Sequence, residues 1–320
     1  MATGIFTVPD EETRRRIGEV AGAQVRVWDL SSSAEEAGLE AEAIRGVLIP
    51  NYFFNAAGWQ RLADLPGLQL VQLPSAGYEH AIRFIPEGVR LANGAGVHDA
   101  ETAEHAIGLA LASVRGFGRW LRAQDEGRWA PVQGPSLVDR HVTVVGFGHV
   151  GRAIVSRVLP FEVELEVVAG HTRTEHVDGH EISVRAISDL PEVLPHTEVL
   201  ILIVPMSDET RHLIGAPELA LLPDGAHVIN VARGGVVDTE ALLPELLSGR
   251  LHAALDVTDP EPLPPDHPLW RAPGCLITPH IGGLTDATAP RVAALWRDQI
   301  EAMVAGSPLR NLVAVSHGVH

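Results

Sequence analysis

Short β-branched runs alternate with apolar-periodic stretches over the first hundred residues. Strand-like runs stand at Val25–Trp28, Gly46–Ile49, Leu68–Leu73 and Val89–Ala92, with helix-like stretches at Ala34–Ala43 and Trp59–Leu65. This rhythm predicts a small α/β domain with a parallel sheet, because parallel strands need crossover helices. A longer helix is expected from Ala100 to Val114, where Ala103, Ile107, Ala110, Leu111 and Val114 recur at helical spacing. A second series begins at Val142, with strands at Val142–Val145, Leu165–Ala169, Val199–Val204, His227–Val231, Ala253–Val257 and Leu276–Thr278. Helices fall between most of these, as at Val150–Val158 and Glu240–Leu247. Six strands in this order suit a doubly wound sheet. The stretch Ala287–Ala305 is helical again after that sheet is finished. Packed back on the first domain, it makes that domain discontinuous: 1–98 with 287–320, around a second domain at 99–286.

Composition narrows the function classes. The chain has 320 residues, 46% hydrophobic and 20% charged, which is ordinary globular usage. Its 24 basic residues face 41 acidic ones, for a formal charge of −17, and such a surface repels nucleic-acid phosphates. All the basic residues are arginine, which excludes Schiff-base chemistry and a Walker A lysine. The single Cys275 forbids an internal disulfide. No apolar run reaches the roughly 20 residues of a membrane helix. Met1–Asp10 lacks the basic flank and apolar stretch of a signal peptide, so a cytoplasmic protein is expected, with no metal site, nucleic-acid partner or membrane partner.

The segment Val142–Ile154 reads strand, glycine turn, helix, with glycines spaced G-x-G-x-x-G at Gly146, Gly148 and Gly151. Gly146 permits the tight turn, Gly148 lets the backbone approach a diphosphate, and Gly151 lets helix and strand pack closely. Phe147, His149 and Val150 complete the loop, and the amides near His149 and Val150 offer a positive helix end. A dinucleotide is the expected ligand. The residues after the second strand choose between NAD and NADP. Here they are His171, Thr172 and Arg173, with Glu175 beyond. No carboxylate ends the strand, so Thr172 and Arg173 are free to meet a 2′-phosphate, and NADP is expected over NAD. The competing reading is a solvated Arg173 with Glu175 reaching the ribose.

Three later segments place an arginine (Arg233), carboxylates (Asp256, Glu261) and a histidine (His280) just beyond consecutive strand ends, facing one crevice. Reduction of a keto acid needs a cation for the carboxylate and the polarised carbonyl, which a guanidinium supplies. It also needs a proton donor near neutral pH, a role for histidine, and a carboxylate beside that ring stabilises imidazolium and fixes its orientation.

The runs LILIVPMSDETRHLI (200–214), VARGGVVD, ALDVTDPEPLPPDHPLW and ITPHIGG resemble the D-isomer-specific 2-hydroxyacid dehydrogenases. LVQLPSAGYEH at Leu70–His80 and DAETAEHAIGLALA at Asp99–Ala112 extend the resemblance over nearly the whole chain. The resemblance implies two Rossmann/flavodoxin-like domains with parallel sheets, the active site in the cleft between them, and hydride transfer between NAD(P) and a small 2-keto or 2-hydroxy acid. It implies Arg233 as the substrate-binding arginine, Glu261 as partner of the histidine, and His280 as the acid/base. Asp256 would hold the nicotinamide carboxamide, and Val231, Ala232, Thr102 and Gly282 would border that ring. Val204 and Pro205 would wall the adenine, and Thr210 lies in a segment bordering the cofactor. The backbone of Ser75, Ala76 and Gly77 would receive the substrate carboxylate. A homodimer through about Ala100–Gly134 is also implied.

Some positions depart from the family pattern. The cofactor-selecting acid is missing, His98 stands where asparagine is common, and Phe161–Glu166 runs two residues long. Formate dehydrogenases of this superfamily carry glutamine where Glu261 stands, and phosphite dehydrogenases use a lysine that this chain lacks. Tyr52 and its neighbours Phe53 and Phe54 follow a strand end and could wall an apolar pocket for a bulky keto acid, with Trp129 and Trp296 as further candidates. A non-catalytic, dinucleotide-sensing corepressor on the same fold is the alternative from another class. A short-chain dehydrogenase is excluded, since the glycine loop lies mid-chain and no Tyr-x-x-x-Lys is possible.

Overall fold

The computed structural model describes residues 4–50, 56–78 and 80–313. In chain order the first elements are β1 (Gly4–Val8), α1 (Glu11–Ile17), β2 (Ala23–Val27), β3 (Ile44–Leu48), α2 (Ala56–Gln60), β4 (Leu70–Gln72) and β5 (Arg90–Ala92). There follow α3 (Asp99–Val114), α4 (Phe117–Asp125), β6 (His141–Val145), α5 (His149–Val158), β7 (Glu164–Ala169), β8 (Arg173–Val177) and β9 (His180–Ala186). Next come α6 (Leu190–Val193), β10 (Val199–Leu202), α7 (Ala216–Leu221), β11 (His227–Asn230), α8 (Thr239–Leu247), β12 (His252–Leu255) and β13 (Cys275–Ile277). The chain closes with α9 (Thr288–Ala305) and β14 (Leu312–Val313). Two compact units result, Met1–His98 with Thr285–His320, and Asp99–Leu284.

The first unit holds a six-stranded sheet in the order β14-β5-β4-β3-β1-β2, parallel except for β14. The helix α9 belongs to this unit because its buried face, Ala293, Trp296 and Ile300, joins Phe6, Val8, Leu48 and Leu70 in one core. Trp296 is fully buried there, edge-on to Phe6, and its indole N–H donates to the Thr7 carbonyl at 3.2 Å. It is therefore a core residue, not a wall for substrate. Beside it Gln299 donates to Gln72 Oε1 and to the Arg310 carbonyl, both at 2.9 Å, which satisfies a buried amide.

The helix expected at Ala34–Ala43 is not there. A capping box does start a turn, with Ser33 N donating to Glu36 and Glu36 N to Ser33 Oγ. Gly38, at φ 72°, then ends it after a single turn, and only a short 3-10 turn follows at Ala41–Ala43.

The second unit carries an eight-stranded sheet, β13-β12-β11-β10-β6-β7-β9-β8. Its strands are parallel apart from β8. The central strands β6, β10 and β11 are β-branched or aliphatic runs buried almost throughout, as a sheet covered on both faces requires. On α5, Gly151, Ile154, Val155 and Val158 face the sheet at helical spacing. Between β7 and β9 the usual crossover helix is replaced by β8, which pairs antiparallel with β9 through a two-residue turn. Asp178 (φ 49°) and Gly179 (φ 83°) supply its left-handed backbone. Among the described residues no helix is long and apolar enough to cross a membrane.

Replacing the Trp296 indole empties the centre of the first unit's core. Trp296→Ala is expected to cost about 3–5 kcal/mol, read as a lower urea midpoint by circular dichroism.

Candidate active site

The glycine loop is built as its sequence requires. Gly146 turns at φ 109°, and a Cβ there would stand 2.3 Å from the Ile203 carbonyl oxygen. A Cβ on Gly151 would come within 2.2 Å of the Gly146 oxygen. At Gly148 a Cβ meets no atom within 4 Å, so open space lies before α5, whose N-cap has no side-chain partner. Such space above uncapped helix amides fits a diphosphate. Phe147 is buried, Val150 is half-buried and His149 is exposed. On the neighbouring β10 edge, Val204 is buried and Pro205 exposed, while Thr210 Oγ1 donates to the Pro205 carbonyl at 2.6 Å and closes the turn.

Beyond β7, His171 and Thr172 are exposed and Arg173 opens β8. Arg173 Nε donates to Glu175 at 2.9 Å, and Arg152 pairs with the other Glu175 oxygen. Hydrogen bonds from Arg173 and then Arg152 hold the Glu175 carboxyl below the usual carboxylate range. The two guanidinium carbons lie 4.8 Å (Arg152) and 5.7 Å (Arg173) from the Phe147 ring centroid. Arg173 is thus neither a free loop arginine nor remote from the glycine loop.

Three adjacent parallel strands bring the remaining residues to one sheet edge. Asn230, Leu255 and Ile277 are level across β11, β12 and β13, and the chemistry-bearing residues follow each end. Past β11, Val231 and Ala232 are buried, and Asn230 braces the turn by accepting from Ala232 N and donating to the Arg233 carbonyl, each at 3.0 Å. Gly234 packs so tightly that a Cβ would stand 1.9 Å from the Thr258 oxygen. The Arg233 guanidinium donates to the Ala232 carbonyl at 2.7 Å and pairs with no carboxylate among the described residues, which suits it to an external one.

The turn after β13 is folded around Asp256. Its Oδ1 accepts from Thr278 Oγ1 (2.6 Å), His105 Nε2 (3.1 Å) and Ile281 N (3.0 Å), and its Oδ2 from Gly282 N (3.0 Å). Burial pushes this carboxyl up, but the donors from His105, Thr278 and the two amides outweigh burial and hold it at about 2. Its backbone carbonyl also accepts from His280 N at 2.7 Å, and His280 takes a left-handed φ of 53°. In that position His280 Nδ1 lies 2.6 Å from Glu261 Oε1. A Cβ on Gly282 would stand 3.0 Å from Asp256 Oδ2 and 3.7 Å from Thr102, so these residues border one another.

His105 is the member of this cluster that sequence reasoning missed. It lies on α3, and its Nε2 is also 2.9 Å from Thr278 Oγ1. The signal was a lone histidine in a helix that is otherwise apolar over most of its circumference.

In the first unit the loop after β4 is held from below. Gly94 N donates to the Ser75 carbonyl, Asn93 Nδ2 donates to that of Ala76, and His98 Nε2 lies 3.0 Å from the Pro74 carbonyl oxygen. Ser75 Oγ turns inward to the Gly77 carbonyl. Among the described residues the amides of Ser75, Ala76 and Gly77 take no acceptor, which leaves them available to an anion. Tyr52, with Phe53 and Phe54, lies outside the described residues. Trp129 is 95% exposed.

A family model described as D-isomer specific 2-hydroxyacid dehydrogenase, NAD binding domain, matches residues 107–282. The chain is 34% identical over 229 residues to D-3-phosphoglycerate dehydrogenase of Archaeoglobus fulgidus, covering 71% of this chain and 43% of that protein. It is 33% identical over 264 residues to glyoxylate reductase of Thermofilum pendens, covering 79% of this chain and 73% of the other. A crystal structure of a D-isomer specific 2-hydroxyacid dehydrogenase from Xanthobacter autotrophicus, in complex with NADPH and MES, superposes with a TM-score of 0.79. The identity is 27%, over 98% of this chain and 99% of that one.

An amide in place of the Asp256 carboxylate leaves an NH₂ facing at least one of its donors. Ionised Asp256, with a depressed folded pKa, stabilises the fold above its ordinary value of 3.8, and this stability is lost as pH falls towards 2. Urea unfolding of Asp256→Asn beside the wild type is expected to show the wild type losing about 2 kcal/mol of its advantage across that window.

Proposed function

We propose that this chain, which belongs to the D-isomer-specific 2-hydroxyacid dehydrogenase family of NAD(P)-dependent oxidoreductases, reduces a 2-keto acid to its 2-hydroxy acid through Arg233, Glu261 and His280. The observation that carries this reading is the 2.6 Å contact between His280 Nδ1 and Glu261 Oε1, at the same sheet edge as an Arg233 without a carboxylate partner. Glu261 accepts from Nδ1–H and orients the ring, so that Nε2 is the atom that gives its proton to the carbonyl oxygen. Arg233 binds the substrate carboxylate and stabilises the developing alkoxide. The nicotinamide dinucleotide, held by Gly146–Gly151, supplies or takes up the hydride when bound. In oxidation the same residues act in reverse, with His280 as base. A charged glutamate beside the histidine serves proton transfer, which formate oxidation does not need.

His280→Ala is expected to lower kcat by about 10²–10⁴-fold with cofactor affinity nearly unchanged, read by steady-state kinetics and fluorescence titration of the reduced cofactor. A modest loss of kcat would assign the proton to another group. A panel of glyoxylate, hydroxypyruvate, pyruvate and phenylpyruvate tests the substrate class. Cofactor binding without turnover of any of them would overturn the enzymatic reading, and activity confined to glyoxylate would remove the apolar pocket ascribed to Tyr52–Phe54.

For the cofactor we favour NADP. Arg173 and Arg152 stand together beside the glycine loop, and a 2′-phosphate would take the place that Glu175 holds between them. Arg173→Ala should lower kcat/KM for NADPH about tenfold, the loss of one charge-assisted contact, and leave that for NADH nearly unchanged. A wild-type preference for NADH would refute this assignment.

A homodimer is supported by α4 and the segment after it. Phe117, Leu121, Trp129 and Val132 are all at least half exposed, an apolar surface that a lone subunit would leave in water.

A further inference from the structure

The donors around the Asp256 carboxylate are unevenly shared between its two oxygens. Oδ1 receives Thr278 Oγ1, Ile281 N and His105 Nε2, whereas Oδ2 receives Gly282 N alone. An ionised carboxylate offers about four acceptor positions, so Oδ2 keeps capacity that Oδ1 has used. The torsion that turns the two oxygens is soft in aspartate, so their orientation is set by the donors. Two of the Oδ1 donors act as a unit. Thr278 gives its hydroxyl hydrogen to Oδ1, and its own oxygen lies 2.9 Å from His105 Nε2, which is also 3.1 Å from Oδ1. The carboxylate only accepts, so Nε2 carries the ring hydrogen and shares it between these two oxygens.

His105 is held in this place because α3 is tied to the sheet at both rims. Ala103, Ala106, Ile107 and Ala110 bury an apolar face, whose attraction has no direction of its own. Hydrogen bonds supply the direction. His105 meets Asp256 just beyond β12, and further along the helix Ser113 Oγ lies 2.8 Å from His227 Nδ1 at the start of β11. His227 is level with His252, which begins β12, and the two rings stack at 4.8 Å. The helix rises roughly 12 Å from His105 to Ser113, and the strand spans roughly 13 Å from His252 to Asp256. The two ties therefore match in length. Burial, with His252 and Arg140 nearby, lowers the His227 pKa to about 3, so the lower tie carries no charge.

We infer that His105 is a positioning residue for the nicotinamide: with Thr278 it saturates Asp256 Oδ1 and so leaves Oδ2 as the oxygen that receives the carboxamide NH₂ of the cofactor. This rests on the proposed hydride transfer, which brings the nicotinamide to the sheet edge where His280 stands. There His280 N is already bonded to the Asp256 carbonyl, and the one donor group of a nicotinamide is its carboxamide NH₂. Gly282 keeps the approach to Oδ2 clear, since a Cβ there would stand 3.0 Å from Oδ2 and 3.5 Å from the His105 ring. Without His105 the carboxylate keeps Thr278 and both amides, and the turn keeps its centre. Oδ1 then regains an acceptor position that competes with Oδ2 for the same NH₂.

The test is isothermal titration calorimetry of the full chain with NADP and with NAD, each beside its 3-acetylpyridine analogue. In the analogue a methyl ketone replaces the carboxamide and no NH₂ remains. The wild type is expected to bind the preferred natural dinucleotide more tightly than its analogue. His105→Leu keeps bulk and loses the donor, and should weaken the natural dinucleotide about tenfold and the analogue less than about twofold. His105→Gln, whose amide reaches as far as Nε2, should bind the natural dinucleotide within about threefold of the wild type. A loss of packing alone would weaken both ligands alike, so equal losses overturn the inference. It is also overturned if His105→Leu binds both as the wild type does, if His105→Gln restores nothing, or if the wild type does not prefer the carboxamide. Should His105→Leu fail to fold by circular dichroism, His105→Asn, whose shorter amide falls short of Oδ1, takes its place with the same outcomes. Turnover is scored apart. A wild type that shows this contrast but reduces no 2-keto acid overturns the proposed reaction and leaves His105 its place, whereas turnover without the contrast overturns only the role of His105.

Discussion

A carboxylate buried with four donors aimed at it organises the candidate active site, and the turn carrying His280 is wrapped around it. Asp256 ends β12, and its side chain collects Thr278 from β13, two amides of the turn beyond, and His105 from α3. Each donor would be costly to bury alone, and together they keep the carboxylate ionised in an environment that would otherwise protonate it. The left-handed backbone of His280 is a local cost, and the hydrogen bond from His280 N to the Asp256 carbonyl helps to meet it. With the backbone fixed in this way, the imidazole meets Glu261 from one direction.

The same economy of parallel strands positions the rest. β11, β12 and β13 run level, so an arginine, a carboxylate pair and a histidine separated by dozens of residues arrive at one edge without a dedicated scaffold. The glycine loop, at the corresponding end of β6, depends on close backbone approaches that any Cβ at Gly146 or Gly151 would prevent. The opposite edge of this sheet, where the strands begin, collects histidines and arginines instead. One sheet therefore presents two polar rims of different chemistry, separated by strands with almost no exposed surface.

Much of this was legible in the residues. The helical periodicity of α3, the β-branched run before Gly146 and the glycine spacing each report a local constraint that tertiary packing does not override. The meeting of Arg233, Glu261 and His280 at one sheet edge was legible for another reason: strand ends in α/β sheets are where side chains are free to do chemistry. Other parts were hidden. β1 is a five-residue run, and α1 buries only Thr13 and Ile17, too little to show a periodic face. Ala34–Ala43 has helical composition, but Gly38 adopts a backbone that stops the helix, and composition does not report φ. The β8–β9 hairpin has its turn signal in Asp178–Gly179, but its flanking runs RTEHV and HEISVRA are too polar to stand out as strands. His105 carried no motif of its own, since its role exists only through a partner 151 residues away.

That hairpin makes β8 the terminal strand of the eight-stranded sheet, whose outer backbone groups pair with no further strand, although Arg152 donates to the His176 carbonyl. Exposed sheet edges invite other chains to add to them, and charged side chains are a common defence. Here the guard is Arg173, Thr174, Glu175 and His176, and Arg173 and Glu175 are also the residues beside the glycine loop. Guarding the sheet edge and standing beside the glycine loop thus fall to the same few positions. Any exchange of Arg173 or Glu175 made for the sake of the glycine loop therefore also changes the charges that guard this edge.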